Sequence, residues 1–193
     1  MNKISIIGTG SVGSTIAYSL AILGMASEIV MIDINSEKAL GEALDIRQGT
    51  PFCSPCSIYA GSYPDAAGSN IVILTSGIAR KPGQSRLELA QTNVNITKSI
   101  IPEITKYAPD ATYIIVSNPV DILTYTFHKF SGLPENRIIG NNSRHRTSPR
   151  KTLRILQHQP EQRSRLCFRR ARRLFLHSVV GCEHLKRADF KMQ

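Results

Sequence analysis

Apolar residues fall in short runs separated by longer stretches in which they recur every three or four positions, and this alternation sets the predicted elements. Runs near 3–7, 28–33, 56–60, 70–75, 112–117 and 136–139 read as strands. Segments near 12–24, 36–48, 86–107 and 120–131 carry helical spacing; Ile96, Ile100, Ile101 and Ile104 give the third of them one buried face. Strands alternating with helices in this way build βα units around a mostly parallel sheet.

Six such strands with crossover helices predict an α/β fold, a doubly wound sheet of Rossmann type over residues 1–141. From Asn142 onward the pattern stops. Of the 52 remaining residues 11 are Arg, Gly181 is the sole glycine, and apolar residues clump without a sustained period. No element is predicted there, and 142–193 reads as an irregular basic tail.

Charge sharpens this division. The 193-residue chain carries +10 overall, from 24 Lys and Arg against 14 Asp and Glu. Residues 1–141 hold 10 basic and 11 acidic side chains, whereas 142–193 hold 14 basic and 3 acidic. The excess that would suggest a polyanionic partner therefore belongs to the tail alone. A basic-tailed nucleic-acid binder is one reading of it, and such binding would be salt-sensitive and indifferent to sequence.

No stretch approaches the roughly 18 uninterrupted apolar residues of a membrane span. The apolar N-terminus imitates a signal peptide, but Gly8, Gly10, Gly13, Ser11, Ser14 and Thr15 interrupt it. Cys53, Cys56, Cys167 and Cys182 do not form a secreted disulfide framework, so the cytoplasm is the expected compartment. Cys53-Ser-Pro-Cys56 has redox spacing, but the strand-like Ile58 and Tyr59 follow it instead of a thiolate-stabilising helix. No metal site is read from the sequence.

Gly8-Thr9-Gly10-Ser11-Val12-Gly13 follows a strand-like run and opens a helix-like one, the context that G-x-G-x-x-G requires. Gly8 permits a tight turn, Gly10 lets a pyrophosphate approach the backbone, and Gly13 lets helix and strand pack closely. The helix N-terminus offers N–H groups to the anion. Asp33, 20 residues after Gly13, ends the second strand. Its carboxylate there would accept ribose hydroxyls and repel a 2′-phosphate, which predicts NAD over NADP.

Two further segments carry chemistry: Thr75-Ser-Gly-Ile-Ala-Arg-Lys-Pro-Gly-Gln-Ser-Arg86 and Val116-Ser-Asn-Pro-Val-Asp121. With the glycine motif, in this order and spacing, they make residues 1–141 resemble the lactate/malate dehydrogenase family. The resemblance implies an NAD-dependent oxidoreductase acting on a small 2-hydroxy or 2-oxo acid, with homo-oligomeric relatives and no specific nucleic-acid or membrane partner. It places Arg86 at the substrate carbonyl, where a guanidinium would stabilise the charge developing on oxygen. It places Asn118 against substrate and nicotinamide, and Val12, Lys38, Tyr63, Gly77 and Ser99 at positions of cofactor contact. Arg80 matches the position that senses the substrate's far end, where a cation would pair with a second carboxylate and favour malate.

The family pattern should continue with Leu-Asp-(Ser/Thr)-Ala-Arg and Gly-Glu-His-Gly-Asp segments, which carry the orienting Asp, the carboxylate-binding Arg and the acid/base His. Neither is in the tail as written, and the family's second α+β domain is absent from it. His145, His158, His177 and His184 are not at the motif position. Read one base later, however, codons permitted for Phe168 through Leu176 give FGEHGDSSF, and the same shift across the tail permits a run beginning TLDTAR. The tail therefore reads as family coding sequence translated out of frame from about Asn141–Asn142, which also accounts for its arginine. The Glu before His in that reading favours lactate over malate. The expectation is an L-lactate/pyruvate type of enzyme in which this polypeptide lacks turnover.

Overall fold

The computed structural model describes residues 2–140 apart from 53, 80–82 and 84. The tail, Arg80 and Cys53 thus lie outside the described residues. Strands β1 (Lys3–Ile7), β2 (Glu28–Ile32), β3 (Ser57–Ala60), β4 (Ile71–Leu74), β5 (Thr112–Ile115) and β6 (Ile138–Gly140) form one sheet in the order β3-β2-β1-β4-β5-β6. Every pairing is parallel, with Ile6 level with Met31 on one side and Ile73 on the other. This is the doubly wound order, whose direction reverses between β1 and β4.

Helices α1 (Ser11–Ile22) and α2 (Ser36–Gln48) cover one face, and α3 (Arg86–Tyr107) and α4 (Val120–Ser131) cover the other. Alternation along the strands makes both faces apolar, as buried parallel strands demand. Ile4, Ile6, Ile29, Met31 and Ile73 meet Ile16, Ala17, Leu20, Ala43 and Ile46. Ile7, Val30, Ile32, Leu74, Tyr113 and Ile115 meet Ile100, Ile101, Ile104, Leu123 and Phe127.

All six strands and four helices expected from periodicity are present, and α2, α3 and α4 begin and end where the pattern places them. Helix α1 ends at Ile22 instead of 24, β4 and β5 end at Leu74 and Ile115 instead of 75 and 117, and two further features differ. Short 3-10 turns at Thr50–Phe52, Tyr63–Ala66 and Glu135–Arg137 were not predicted, because one turn is too short to show a period. The last of them, entered through Pro134, also delays β6 to Ile138.

Candidate dinucleotide-binding site

At the carboxyl end of the sheet, the turn between β1 and α1 is shaped by close approach. Gly8 has φ +98°, which disfavours any side chain, and its N–H donates to Ile32 O at 2.8 Å. A Cβ on Gly8 would stand 2.6 Å from Ser76 N, and one on Gly13 only 1.9 Å from Gly8 O. Both clashes are with backbone, so neither relaxes by side-chain rotation. Gly10 is different: a Cβ there meets nothing within 4 Å, so the space before the helix is open.

The four helices start in different ways. Asn35 caps α2 by accepting from Lys38 N at 3.0 Å, with Glu37 in the first turn. Ser85 and Glu88 form a reciprocal capping box at α3. Helix α4 carries Asp121 in its first turn. Helix α1 begins at Gly10 with no side-chain cap and no acidic residue in its first turn. Its first N–H groups, which no helix can satisfy internally, thus face the open space with the positive end of the dipole behind them. A pyrophosphate fits there.

Asp33 follows β2 beside this turn. Its Oδ2 accepts from Thr9 N at 2.6 Å and Thr9 Oγ1 at 3.0 Å, and its Oδ1 accepts from Asn35 N at 3.0 Å. Burial pushes the carboxyl upward, but the Asn35 and Thr9 donors and the Lys38 charge outweigh it and hold Asp33 below the ordinary carboxylate range. Three donors leave a fourth lone-pair position on Oδ1 for a ribose hydroxyl, and rotation of the Thr9 hydroxyl would release another on Oδ2. Tyr63 lies close by, its phenol pushed up by burial and then by the charges of Glu103 and Asp33. Ser99 is exposed on α3, one turn before Glu103, and its hydroxyl donates to Ile96 O at 2.8 Å. Val12 is about half-exposed on the first turn of α1.

A second cluster lies past β4 and β5. Thr75 Oγ1 donates to Gly8 O at 2.6 Å, tying the β4 end to the glycine turn. Ser117 Oγ donates to Ser76 O at 2.6 Å, tying the β5 end to the same loop. Asn118 precedes a cis bond to Pro119, the residue that caps α4. Buried Asn93 of α3 bonds both Ile78 and Asn118, and Gly77 rests against its amide. Arg86 is the first residue of α3. Gly8, Gly10, Val12, Gly13, Asp33, Lys38 and Tyr63 therefore gather around the first turn, and Gly77 and Asn118 around the second. Thr9, Asn93 and Ser117 were missed as supports. Asn93 left a signal, a polar residue seven positions before Ile100 in the apolar stripe of α3.

Cys56 is a free thiol whose pKa is raised by burial and then by the Glu28 charge, the opposite of a reactive thiolate. Among the described residues no helix is long and apolar enough to cross a membrane.

The profile of the lactate/malate dehydrogenase NAD-binding domain matches residues 2–140. The chain belongs to the lactate/malate dehydrogenase family. Within the family it is 54% identical over 143 residues to the L-lactate dehydrogenase of Thermoanaerobacter sp. (strain X514), covering 74% of this chain and 46% of that one. It is 51% identical over 141 residues to that of Clostridium botulinum (strain Langeland / NCTC 10281 / Type F), covering 73% and 44%. Among solved structures, the minor L-lactate dehydrogenase of Enterococcus mundtii superposes with a TM-score of 0.69 at 46% identity, over 71% of this chain and 44% of the other. The malate dehydrogenase of Archaeoglobus fulgidus, in complex with NADH, gives 0.67 at 37% identity, over 70% and 47%. The chain spans less than half the length of these relatives. Residues 2–140 match the NAD-binding domain of that family.

Proposed function

We propose that this chain supplies the NAD-binding half of an L-lactate dehydrogenase, an enzyme interconverting L-lactate and pyruvate. The observation that carries the cofactor assignment is the N-terminus of α1, which lacks both side-chain cap and acidic residue while α2 and α3 have both. Gly8, Gly10 and Gly13 with this helix start would hold the pyrophosphate, and Asp33 would accept from the adenosine ribose. Val12, Lys38, Tyr63 and Ser99 border the adenosine side; Gly77 and Asn118 border the nicotinamide. Bound NAD supplies a hydride acceptor at the nicotinamide. Arg86 polarises the substrate carbonyl, and its place supports that role, because a cation at a helix N-terminus opposes the dipole and does nothing for the helix. The choice of lactate is supported by curated relatives at 54% and 51% identity that are named L-lactate dehydrogenase; among solved structures a lactate dehydrogenase matches at 46% and a malate dehydrogenase at 40%. Arg80, the residue that speaks for malate, is outside the described residues.

Hydride transfer to a carbonyl also needs a proton donor. No Gly-Glu-His-Gly-Asp segment stands in the chain, so the 193-residue polypeptide binds NAD without turning over lactate. The out-of-frame reading of 142–193 is supported by the alignments to longer L-lactate dehydrogenases, which extend over only 143 and 141 residues. Nucleotide sequence around codons 140 to 143 tests that reading; two missing bases are expected, and an intact frame overturns it. Tyr18 and Ile22 on α1 and Leu40 and Leu44 on α2 form exposed apolar pairs on neighbouring helices, which supports self-association as in the family.

Titration of the full chain with NADH and NADPH, followed by nicotinamide fluorescence, tests the cofactor assignment. NADH is expected to bind at least about tenfold more tightly, as one unpaired charge repulsion at Asp33 predicts. Equal affinities, or no binding of either, would sink it.

A further inference from the structure

Asn93 is only 3% exposed, a primary amide set in the stripe through which α3 meets the sheet. Each end of that amide serves a different loop. Its Oδ1 accepts from Ile78 N at 2.9 Å; its Nδ2 donates to Asn118 O at 2.7 Å and, more weakly, to Ile78 O at 3.4 Å. A Cβ on Gly77 would already be at 3.4 Å from Asn93 Oδ1, so the β4 loop lies directly on the amide. An apolar residue of similar volume could fill this part of the core without needing three polar partners. The amide instead makes the spacing of two loops depend on one side chain.

We propose that Asn93 is a positioning residue for the reactive half of the site, holding the Asn118 turn against Gly77–Ile78 so that nicotinamide and substrate meet a preset surface. This rests on the reading of Asn118 as a nicotinamide and substrate contact. Register extends the argument to Arg86, which is seven residues earlier on α3. Seven residues are two turns, so Arg86 and Asn93 share a face about 10 Å apart along the axis. The amide that fixes the two loops thereby also fixes how far along α3, relative to those loops, the first residue of the helix stands. Asp33 and Thr9 bond each other and Asn35, with no hydrogen bond to Asn93 or its partners among the described residues. Loss of Asn93 should therefore be felt at one half of the cofactor and not at the other.

Two ligands separate the halves: NADH, and ADP-ribose, which has the adenosine and pyrophosphate but no nicotinamide. In the full chain, Asn93→Ala leaves Ile78 N and Asn118 O without their partner. Asn93→Asp keeps the acceptor for Ile78 N but replaces the donor to Asn118 O with a second oxygen. Both variants are expected to bind NADH about tenfold more weakly, the size of one lost hydrogen bond, and to bind ADP-ribose within about twofold of the parent. The fluorescence gain of bound NADH should shrink with it. Retained ADP-ribose binding shows in the same sample that the variant is folded. A fall of both ligands together in both variants would mean that Asn93 merely supports the fold, and unchanged NADH binding would mean that it positions nothing; either overturns the proposal. A parent chain that binds neither ligand overturns the cofactor reading itself, and this inference with it.

Discussion

The two ends of the sheet are built from the same strands, yet they use polar residues in opposite ways. At the amino end, Lys3 of β1, Glu28 of β2 and Tyr59 of β3 close on one another: Lys3 Nζ lies 2.9 Å from Glu28 Oε1, and Tyr59 OH donates to the same oxygen at 2.6 Å. At the carboxyl end, the helix start at Gly10 has no side-chain partner, Asp33 keeps spare acceptor capacity, and Ser76 Oγ is the one buried side-chain polar atom without a hydrogen bond among the described residues. The first end is complete in itself, as a structural network should be. The second is incomplete in the way expected of a site that a ligand finishes. Polar groups in both places are well ordered by neighbours, so order alone does not mark function; unspent hydrogen-bonding capacity does.

The sharpest way to break this contrast is Gly13→Ala. A Cβ at that position overlaps Gly8 O at 1.9 Å, backbone against backbone, and also approaches Thr75 Oγ1 at 2.9 Å. Helix α1 would have to move off the β1 turn. Overpacking on this scale is expected to cost about 3 kcal/mol in stability and to remove measurable NADH binding. Denaturant unfolding and NADH titration check the two effects. Full NADH binding by the variant would show that close packing at the carboxyl end is not what shapes the site.

The contrast also explains how much could be read from the chain alone. Element positions were legible because both faces of the sheet are buried and each strand and helix is long enough to show its period. The glycines and Asp33 were legible because their constraints are local and leave fixed spacings. Asn93, Thr9 and Ser117 were not, because each bonds a group that is distant in sequence: Asn93 the Asn118 carbonyl, 25 positions away, Thr9 the Asp33 carboxylate, 24 away, and Ser117 the Ser76 carbonyl, 41 away. Such partners come together only after the strands have been ordered as β3-β2-β1-β4-β5-β6. The amino-end triad was invisible for the same reason, since Tyr59 and Glu28 are 31 positions apart.

Asp33→Asn is a smaller perturbation than Gly13→Ala, and it probes chemistry more than shape. The amide keeps one acceptor but cannot receive Thr9 and Asn35 donors on both sides, and it no longer repels a 2′-phosphate. NADH affinity is expected to fall by about tenfold or more, as for a charge-assisted hydrogen bond, and the preference over NADPH to shrink. The pH dependence of the parent gives an independent check. The folded-state pKa of Asp33 is lowered. Its contribution to stability is therefore fully present above the ordinary Asp value of about 3.9 and is lost as pH falls through the lower folded value. NADH binding should still hold at the ordinary Asp value and fail only as pH falls through the lower folded value. Failure already near neutral pH would show that another group controls the site.

Tyr59→Phe should produce the smallest effect, and it sharpens the comparison from the other end. The change removes one hydrogen bond to Glu28 and leaves the ring, which packs against the core on the α3 and α4 side. Glu28 keeps its ion pair with Lys3, and the pair is partly open to solvent, so the loss should be about 1 kcal/mol or less. The Glu28 carboxyl, held low first by the Tyr59 hydroxyl and then by Lys3, should rise toward its ordinary value. The acid-sensitive part of the stability should then be smaller in the variant than in the parent, because less of it depends on keeping Glu28 ionised. NADH affinity should not change at all, since the hydroxyl lies at the far end of the strands from Gly10 and Asp33. A measurable loss of NADH binding in Tyr59→Phe, with stability otherwise intact, would mean that the two ends are coupled through the sheet and that the division drawn between them is wrong.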